Sequence, residues 1–283
     1  MSAADAANRT HARFLLVTVT DASEASRAHL HTLLESLRRQ RAAIELVLVM
    51  RDGGSWPQEA DNVRIHALPQ PLRISLSRAR NVAIHYAREQ RLLEAADVVG
   101  FPDDDCSYPP GLLARVAALI DGGDDIVVGT YGPAADRVDH KRFPSTGRPL
   151  SAPLTMRTVS SNNMFFASHV MAAVGNFDER LGLGAPYGAA EDTDYVLRAL
   201  RLGVQSSYAP RDIFVSHPYK PDRPGQYYVG NVAVEAKHAL GGGTGVRLTR
   251  RLASGPVLML RGQITPRDYA RALRGAVRLL AGG

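Results

Sequence analysis

Asp103, Asp104 and Asp105 stand in a row directly after the apolar run Val98-Val99-Gly100-Phe101. Two carboxylates one residue apart offer hard oxygen ligands to Mg²⁺ or Mn²⁺, and such an ion in turn binds a diphosphate. The apolar run reads as a short buried strand, and open α/β sheets bind ligands at the carboxyl ends of their strands. In an extended chain Asp103 and Asp105 project to one side and Asp104 to the other. Four more groups suit the same chemistry. Asp52, followed by Gly53 and Gly54, ends another apolar run and can accept a hydrogen bond from a nucleobase or ribose. Arg78 and Arg80 can reach phosphate oxygens or support the acids. Glu191-Asp192 opens a helix after the flexible stretch 182–188 and offers a base for a hydroxyl proton. His217 follows a strand and can serve as a third ligand, better for Mn²⁺ than for Mg²⁺. Each also has an ordinary explanation, such as a turn acid, a solvated helix face or a core imidazole. Their order along the chain is more informative than any one of them.

Positioning these groups requires strands that alternate with helices. Buried strands are expected at 14–19, 44–50, 63–67, 98–101, 126–130, 159–167, 206–208 and 213–216. Helices are expected after the first strand (Leu30, Leu33, Leu34 and Leu37 at helical spacing, with Asp21 and Glu24 as the capping pair), at 77–93, from Pro109-Pro110 to about 120, and at 190–202, where Gly203 ends the turn. The alternation implies an α/β fold: a Rossmann-like, mostly parallel sheet flanked by helices. The stretch 131–155 breaks the rhythm. It holds Pro133, Pro144, Pro149 and Pro153 with Lys141, Arg142 and Arg148, and reads as a long binding loop or lid.

The chain has 283 residues, enough for one large α/β domain with an extension. A single cysteine, Cys106, excludes an internal disulfide framework and fits a reducing compartment. No run approaches a membrane span, and residues 1–11 lack an apolar signal-peptide core. The net charge of +6 is unevenly placed. From Lys237 to Gly283 there are nine Lys/Arg and one acid, Asp268; the remainder has 25 Lys/Arg against 27 Asp/Glu. Charge confined to the tail argues against nucleic acid and for an acidic partner or a membrane surface. Thr265-Pro266 starts a last helix with Tyr269, Leu273, Val277 and Leu280 on one face and Arg267, Arg271, Arg274 and Arg278 on another. That pattern fits an interfacial helix on anionic lipid, or a stripe packed on the main domain with solvated arginines. The expected division is a flexible tail at 1–12, a catalytic domain at 13–222 and a helical basic extension at 223–283.

From about Phe14 to Tyr219 the chain resembles the family 2 glycosyltransferases with the GT-A fold. Leu48-Val49-Met50-Arg51-Asp52-Gly53-Gly54-Ser55 is similar to the family segment ending in Asp-Asp-Gly-Ser, with Arg51 where an acid is common. Ala79-Arg80-Asn81 and Phe101-Pro102-Asp103-Asp104-Asp105 match its Ala-Arg-Asn and DxD segments. Asn162 to Phe166, then Gly175-Asn176-Phe177-Asp178-Glu179, resemble its acceptor-side stretch, and Glu191-Asp192-Thr193-Asp194-Tyr195 with Arg198 matches its E-D-x-D helix. The resemblance implies a metal-dependent inverting transfer of a sugar from a nucleotide diphosphate to a hydroxyl of a glycan or lipid-linked acceptor. It implies Asp52 at the base, Arg78, Arg80 and Asn81 at the donor, and Asp104 at the ribose or sugar. Asp103, Asp105 and His217 would hold Mn²⁺ or Mg²⁺. Asp192 would be the catalytic base, with Glu191 as the second candidate. It further implies work in cell-surface glycan or glycolipid synthesis, in the cytoplasm or at the inner face of the membrane. A sugar nucleotidyltransferase would carry a Gly-rich, Arg-containing phosphate loop after the first strand; Val19-Thr20-Asp21-Ala22-Ser23 stands there instead. A nucleotide-sugar binding protein without turnover is the remaining alternative, and the retained Glu191-Asp192 pair argues against it.

Overall fold

Leu15, Leu16 and Val17, like Leu46, Val47, Leu48 and Val49, are apolar on both faces of their strands, so both strands must be covered on each side. The computed structural model describes residues 12–21, 23–51, 61–71, 73–218, 224–240 and 243–282. Its strands are β1 (Arg13–Thr20), β2 (Ala43–Arg51), β3 (Val63–Gln70), β4 (Val98–Gly100), β5 (Ile126–Val128), β6 (Thr130–Gly132), β7 (Arg148–Pro149), β8 (Met164–Ala167), β9 (Ser206–Tyr208) and β10 (Phe214–Ser216). Eight of them form the main sheet in the order β3-β2-β1-β4-β8-β5-β9-β7, and β6 with β10 forms a second, parallel pair. β3, β2, β1 and β4 are parallel; β8 runs antiparallel to both of its neighbours, and β7 antiparallel to β9 at the edge. The helices are α1 (Glu24–Arg38), α2 (Leu76–Glu89), α3 (Leu92–Ala95), α4 (Leu112–Asp121), α5 (Ala152–Thr158), α6 (Ser168–Val174), α7 (Glu191–Leu200), α8 (Pro224–Lys237), α9 (Gly245–Leu260) and α10 (Pro266–Leu280).

A mostly parallel sheet flanked by helices was expected, and local details differ. The strand expected at 159–167 begins only at Met164, after a 3₁₀ turn at Ser161–Asn163, and it is antiparallel. The strand expected at 126–130 breaks at Gly129. A Cβ there would lie 2.3 Å from Ile213, so the chain bends out of the main sheet and β6 pairs with β10. The long loop at 131–155 starts as β6 and ends in α5. Asp21 and Glu24 are not the capping pair of α1: Ser23 accepts from Ser26 N–H, and Asp21 accepts from Ser23 N–H. Pro109 and Pro110 precede α4 rather than opening it; its N-cap is Gly111 at φ +76.

The C-terminal helices bury Tyr228, Val229, Val232, Ala236, Leu248, Ala272 and Ala276 together. α10 packs along α8 through Ala272, Gly275 and Ala276; of the face expected to be apolar, Tyr269 packs against Tyr228 of α8, while Leu273, Val277 and Leu280 do not. Gly275 is also closed in by the loop before α7: a Cβ on it would stand 2.7 Å from the Tyr187 ring. Leu273 and Leu280 are exposed, and Val277 is 67% exposed. Among the described residues no helix is long and apolar enough to cross a membrane.

Candidate active site

The turn after β4 carries the three aspartates. It is not extended: Asp103 C=O accepts from Cys106 N–H at 3.2 Å, and Asp104 sits half-buried at the bend. Cys106 itself is buried and, as the chain's single cysteine, forms no internal disulfide. Two backbone hydrogen bonds between Ser107 and Ser216, at 2.8 and 3.0 Å, clamp the end of β10 beside this turn. They deliver the next residue, His217, to the carboxylates. Its Nε2 lies 3.1 Å from Asp105 Oδ1 and 3.7 Å from Asp103 Oδ2. Asp103, Asp105 and His217 each offer one ligand atom, and these atoms lie within 4.8 Å of one another. His217 is 5% exposed, yet neither ring nitrogen meets hydrogen-bonding geometry with a protein group. Buried polar atoms are normally paired, so an imidazole aimed at two carboxylates without a directed hydrogen bond fits a shared cation. The residues present suit Mn²⁺ or Mg²⁺.

Arg80 ties this turn to the start of α7. It is 2% exposed, with Nη1 2.9 Å from Glu191 Oε1 and Nη2 3.4 Å from Asp103 Oδ1. The rings of Phe101 and Phe177 flank its guanidinium at 5.9 and 5.5 Å. Ser161, from the 3₁₀ turn before β8, donates to the same Asp103 oxygen at 2.9 Å. Asn81, expected at the donor, has its side chain engaged elsewhere: it donates to Phe177 C=O and Glu179, and accepts from Phe177 N–H. Its place is to hold the Gly175–Glu179 stretch against α2. Arg78 is exposed on the outer side of α2. Asp52 and the glycines after it lie outside the described residues.

α7 begins abruptly. Ala190 adopts φ +70, a left-handed conformation disfavoured for a residue with a Cβ, immediately before Glu191 and Asp192. Gly182, at φ +96, faces the same carboxylates; a Cβ on it would lie 2.6 Å from Ser77 Oγ and 3.3 Å from the Glu191 carboxylate. Burial, then the neighbouring Glu191 charge, pushes the Asp192 carboxyl up to about 7, Arg80 opposes the shift and Asp103 adds to it. Asp192 therefore lies within electrostatic reach of Asp103.

Two turns of sequence logic were not read in advance. Asp194, fully buried, pairs with Arg198 at 2.9 Å, Lys237 at 2.8 Å and His238 at 2.8 Å. Lys237 also meets Asp178 at 2.7 Å. The motif acid Asp194 thus anchors α8 to the helix that carries Asp192. Tyr131 is the second: it packs edge-on to His217 at 5.4 Å, and nothing in its local pattern marked it. A separate cavity of about 480 Å³, lined by Leu150, Ala152, Leu197, Arg201, Val204 and His238 among others, includes none of the aspartate-turn or Glu191-Asp192 residues.

The sequence profile of Glycosyl transferase family 2 matches residues 23–177. No curated protein sequence matches the chain. S. aureus TarS 1–349 in complex with UDP-GlcNAc superposes with a TM-score of 0.66 at 17% identity, over 95% of this chain and 81% of that one. The same TarS fragment in complex with UDP gives 0.66, 17%, 95% and 81%. The mannosyltransferase PcManGT from Pyrobaculum calidifontis, in complex with GDP-Man and Mn²⁺, gives 0.53 at 15% identity, over 97% of this chain and 75% of that one. At such identities the likeness is one of fold, and that fold is the GT-A type. With more than half of its residues inside the family profile, the chain belongs to glycosyl transferase family 2.

Proposed function

We propose that the protein is a metal-dependent inverting glycosyltransferase that moves a sugar from a nucleotide-diphosphate donor to a hydroxyl of a glycan or lipid-linked acceptor, in cell-surface glycan or glycolipid synthesis. The observation that carries this reading is the Asp103–Asp105–His217 cluster, joined through Arg80 to the helix start that bears Asp192. A divalent cation held by Asp103, Asp105 and His217 would offset the charge that builds on the departing diphosphate. Arg80 holds Asp103 and Glu191 in place. Glu191 is committed to Arg80, so Asp192 is the base: it accepts the proton as the acceptor oxygen attacks the anomeric carbon from the face opposite the leaving diphosphate. Asp52, Asp104 and Arg78 are assigned to the donor side by their motifs alone. The 131–155 segment excludes water over the donor. The exposed Leu273, Val277 and Leu280 beside the arginines of α10 support peripheral contact with an anionic membrane at the cytoplasmic face.

A thermal-shift screen of UDP-, GDP- and dTDP-sugars with and without Mn²⁺ tests the reading. Stabilisation by one nucleotide class only in the presence of metal is expected, followed by release of free nucleotide on incubation with acceptor. Absence of any metal-dependent nucleotide stabilisation would overturn it.

A further inference from the structure

The segment between β6 and the end of α5 carries Lys141, Arg142, Arg148 and Arg157, and none of the four has an ion-pair partner among the described residues. The backbone gathers three of them. Arg142 Nε donates to Arg157 C=O at 3.1 Å, and Arg157 Nη2 donates to Lys141 C=O. Arg148 and Arg157 both act on the Tyr208 hydroxyl, partly offsetting the rise that burial imposes on it. Arg142 is fixed further by two rings, its guanidinium carbon 4.9 Å from the Tyr131 centroid and 5.3 Å from that of Phe143. Neither terminal nitrogen of Arg142 has a protein partner among the described residues. The Asp139 carboxylate, which accepts from Lys141 N–H, is one acid beside four cations; the excess of like charge raises the local energy, and an anion relieves it. A planar guanidinium held in this way suits a phosphate or carboxylate oxygen pair.

The patch starts at the wall of the active site. Tyr131, 6% exposed, lies between Arg142 and His217. From there the cations continue outward to exposed Lys141, Arg148 and Arg157, a longer track than two donor phosphates would cover.

We propose that Lys141, Arg142, Arg148 and Arg157 form a binding track for an anionic acceptor, with Arg142 seating a phosphodiester or carboxylate group next to the sugar hydroxyl presented to Asp192. This rests on the transferase reading above and names the acceptor's chemical class.

The test uses the full chain saturated with Mn²⁺ and whichever of UDP or GDP stabilises it. Fluorescent hexamers of matched length are titrated by anisotropy: maltohexaose, hexagalacturonate and a glycerol-phosphate hexamer. At least one anionic hexamer binds roughly tenfold tighter than maltohexaose, and its identity distinguishes carboxylate from phosphodiester. Arg142→Gln lowers that affinity roughly fivefold or more while nucleotide affinity is unchanged, and the exposed Arg148→Gln gives a smaller loss, which covers the case in which Arg142→Gln fails to fold. Equal binding of all three hexamers, or none, overturns the proposal. So does a loss of nucleotide affinity in Arg142→Gln, which would give this arginine to the donor diphosphate. Failure of both nucleotides to bind wild-type protein sinks the transferase reading instead, and the hexamers titrated without nucleotide then still decide whether the track binds anions.

Discussion

Arg80 and Glu191, 111 residues apart in the chain, form a buried ion pair at 2.9 Å. The pair joins the helix behind the aspartate turn to the first residue of α7. Charges buried in this way are stable only while every partner remains. Arg80→Met would leave Glu191 and Asp103 without their shared cation. Urea unfolding is expected to show a loss of about 3 kcal/mol or more, and nucleotide binding should weaken because Asp103 is no longer held.

The Asp192 carboxyl, pushed up to about 7, predicts opposite effects on rate and stability. Transfer needs the carboxylate, so the rate with saturating donor rises with pH through about 7 and then levels. The folded protein binds this proton more tightly than the unfolded chain, so the contribution to stability is complete below about pH 4 and disappears as pH rises through 7. Asp192→Asn should reduce transfer by a factor of roughly 10³ and leave nucleotide binding nearly intact. Calorimetry at pH 8 should show it at least as heat-stable as the parent, because the buried charge is gone. A variant that keeps its turnover would remove Asp192 from the role of base.

Chelation should abolish nucleotide binding, and added Mn²⁺ should restore it. A ligand at a hundredfold its dissociation constant stabilises by about 2.7 kcal/mol, a readily measured rise in Tm. Asp105→Asn and His217→Ala should each lose that metal-dependent rise, since the three groups converge on one point; His217→Ala should also lower the Tm of the unliganded protein, because the buried ring packs against Tyr131.

Asp178 and Asp194 are both held below the ordinary carboxylate range. Burial opposes the shift most strongly in each; hydrogen bonds from Arg180 and Lys237 overcome it at Asp178, and those from His238 and Lys237, with Arg198, overcome it at Asp194. Their contribution to stability is therefore present above about pH 4 and is lost as pH falls and they protonate. Lys237→Met should flatten this acid limb and lower stability at pH 7, as followed by tryptophan fluorescence in urea. Equal acid limbs in the two proteins would show that the Lys237 link does not tie α8 to α7.

Gly182→Ala should impair transfer without unfolding the protein. The new methyl meets Ser77 Oγ at 2.6 Å and crowds Glu191 at 3.3 Å, on a backbone at φ +96. The expected loss is about tenfold in kcat at normal donor KM.

Much of the sheet was legible because burial leaves a local mark. Runs such as Val98 to Phe101 are apolar on both faces only if both are covered, and Asp103 to Asp105 directly beyond such a run had to sit at a strand end. Strand direction leaves no such mark, so antiparallel β8 could not be read from 159–167. The departure of β6 from the main sheet was hidden for a similar reason: it depends on Ile213, far along the chain, packing against Gly129. On α10 the bulk of Leu273, Val277 and Leu280 promised burial, whereas the buried stripe is Ala272, Gly275 and Ala276, where the Tyr187 ring leaves no room for a Cβ on Gly275.

Residue type and spacing along the chain were enough to determine the α/β class, the family and the acids, imidazole and arginines with chemical potential, since these follow from periodicity and functional groups close together in sequence. Tertiary structure alone decided which of them meet. His217 reaches Asp105 because β10 is clamped to the aspartate turn, Arg80 faces inward to Glu191 and Asp103, Asn81 turns to Phe177, and Asp194 receives Lys237 from α8. Those partnerships span tens to more than a hundred residues, and only the packing of the sheet and its helices sets the distances across which charges and hydrogen bonds act.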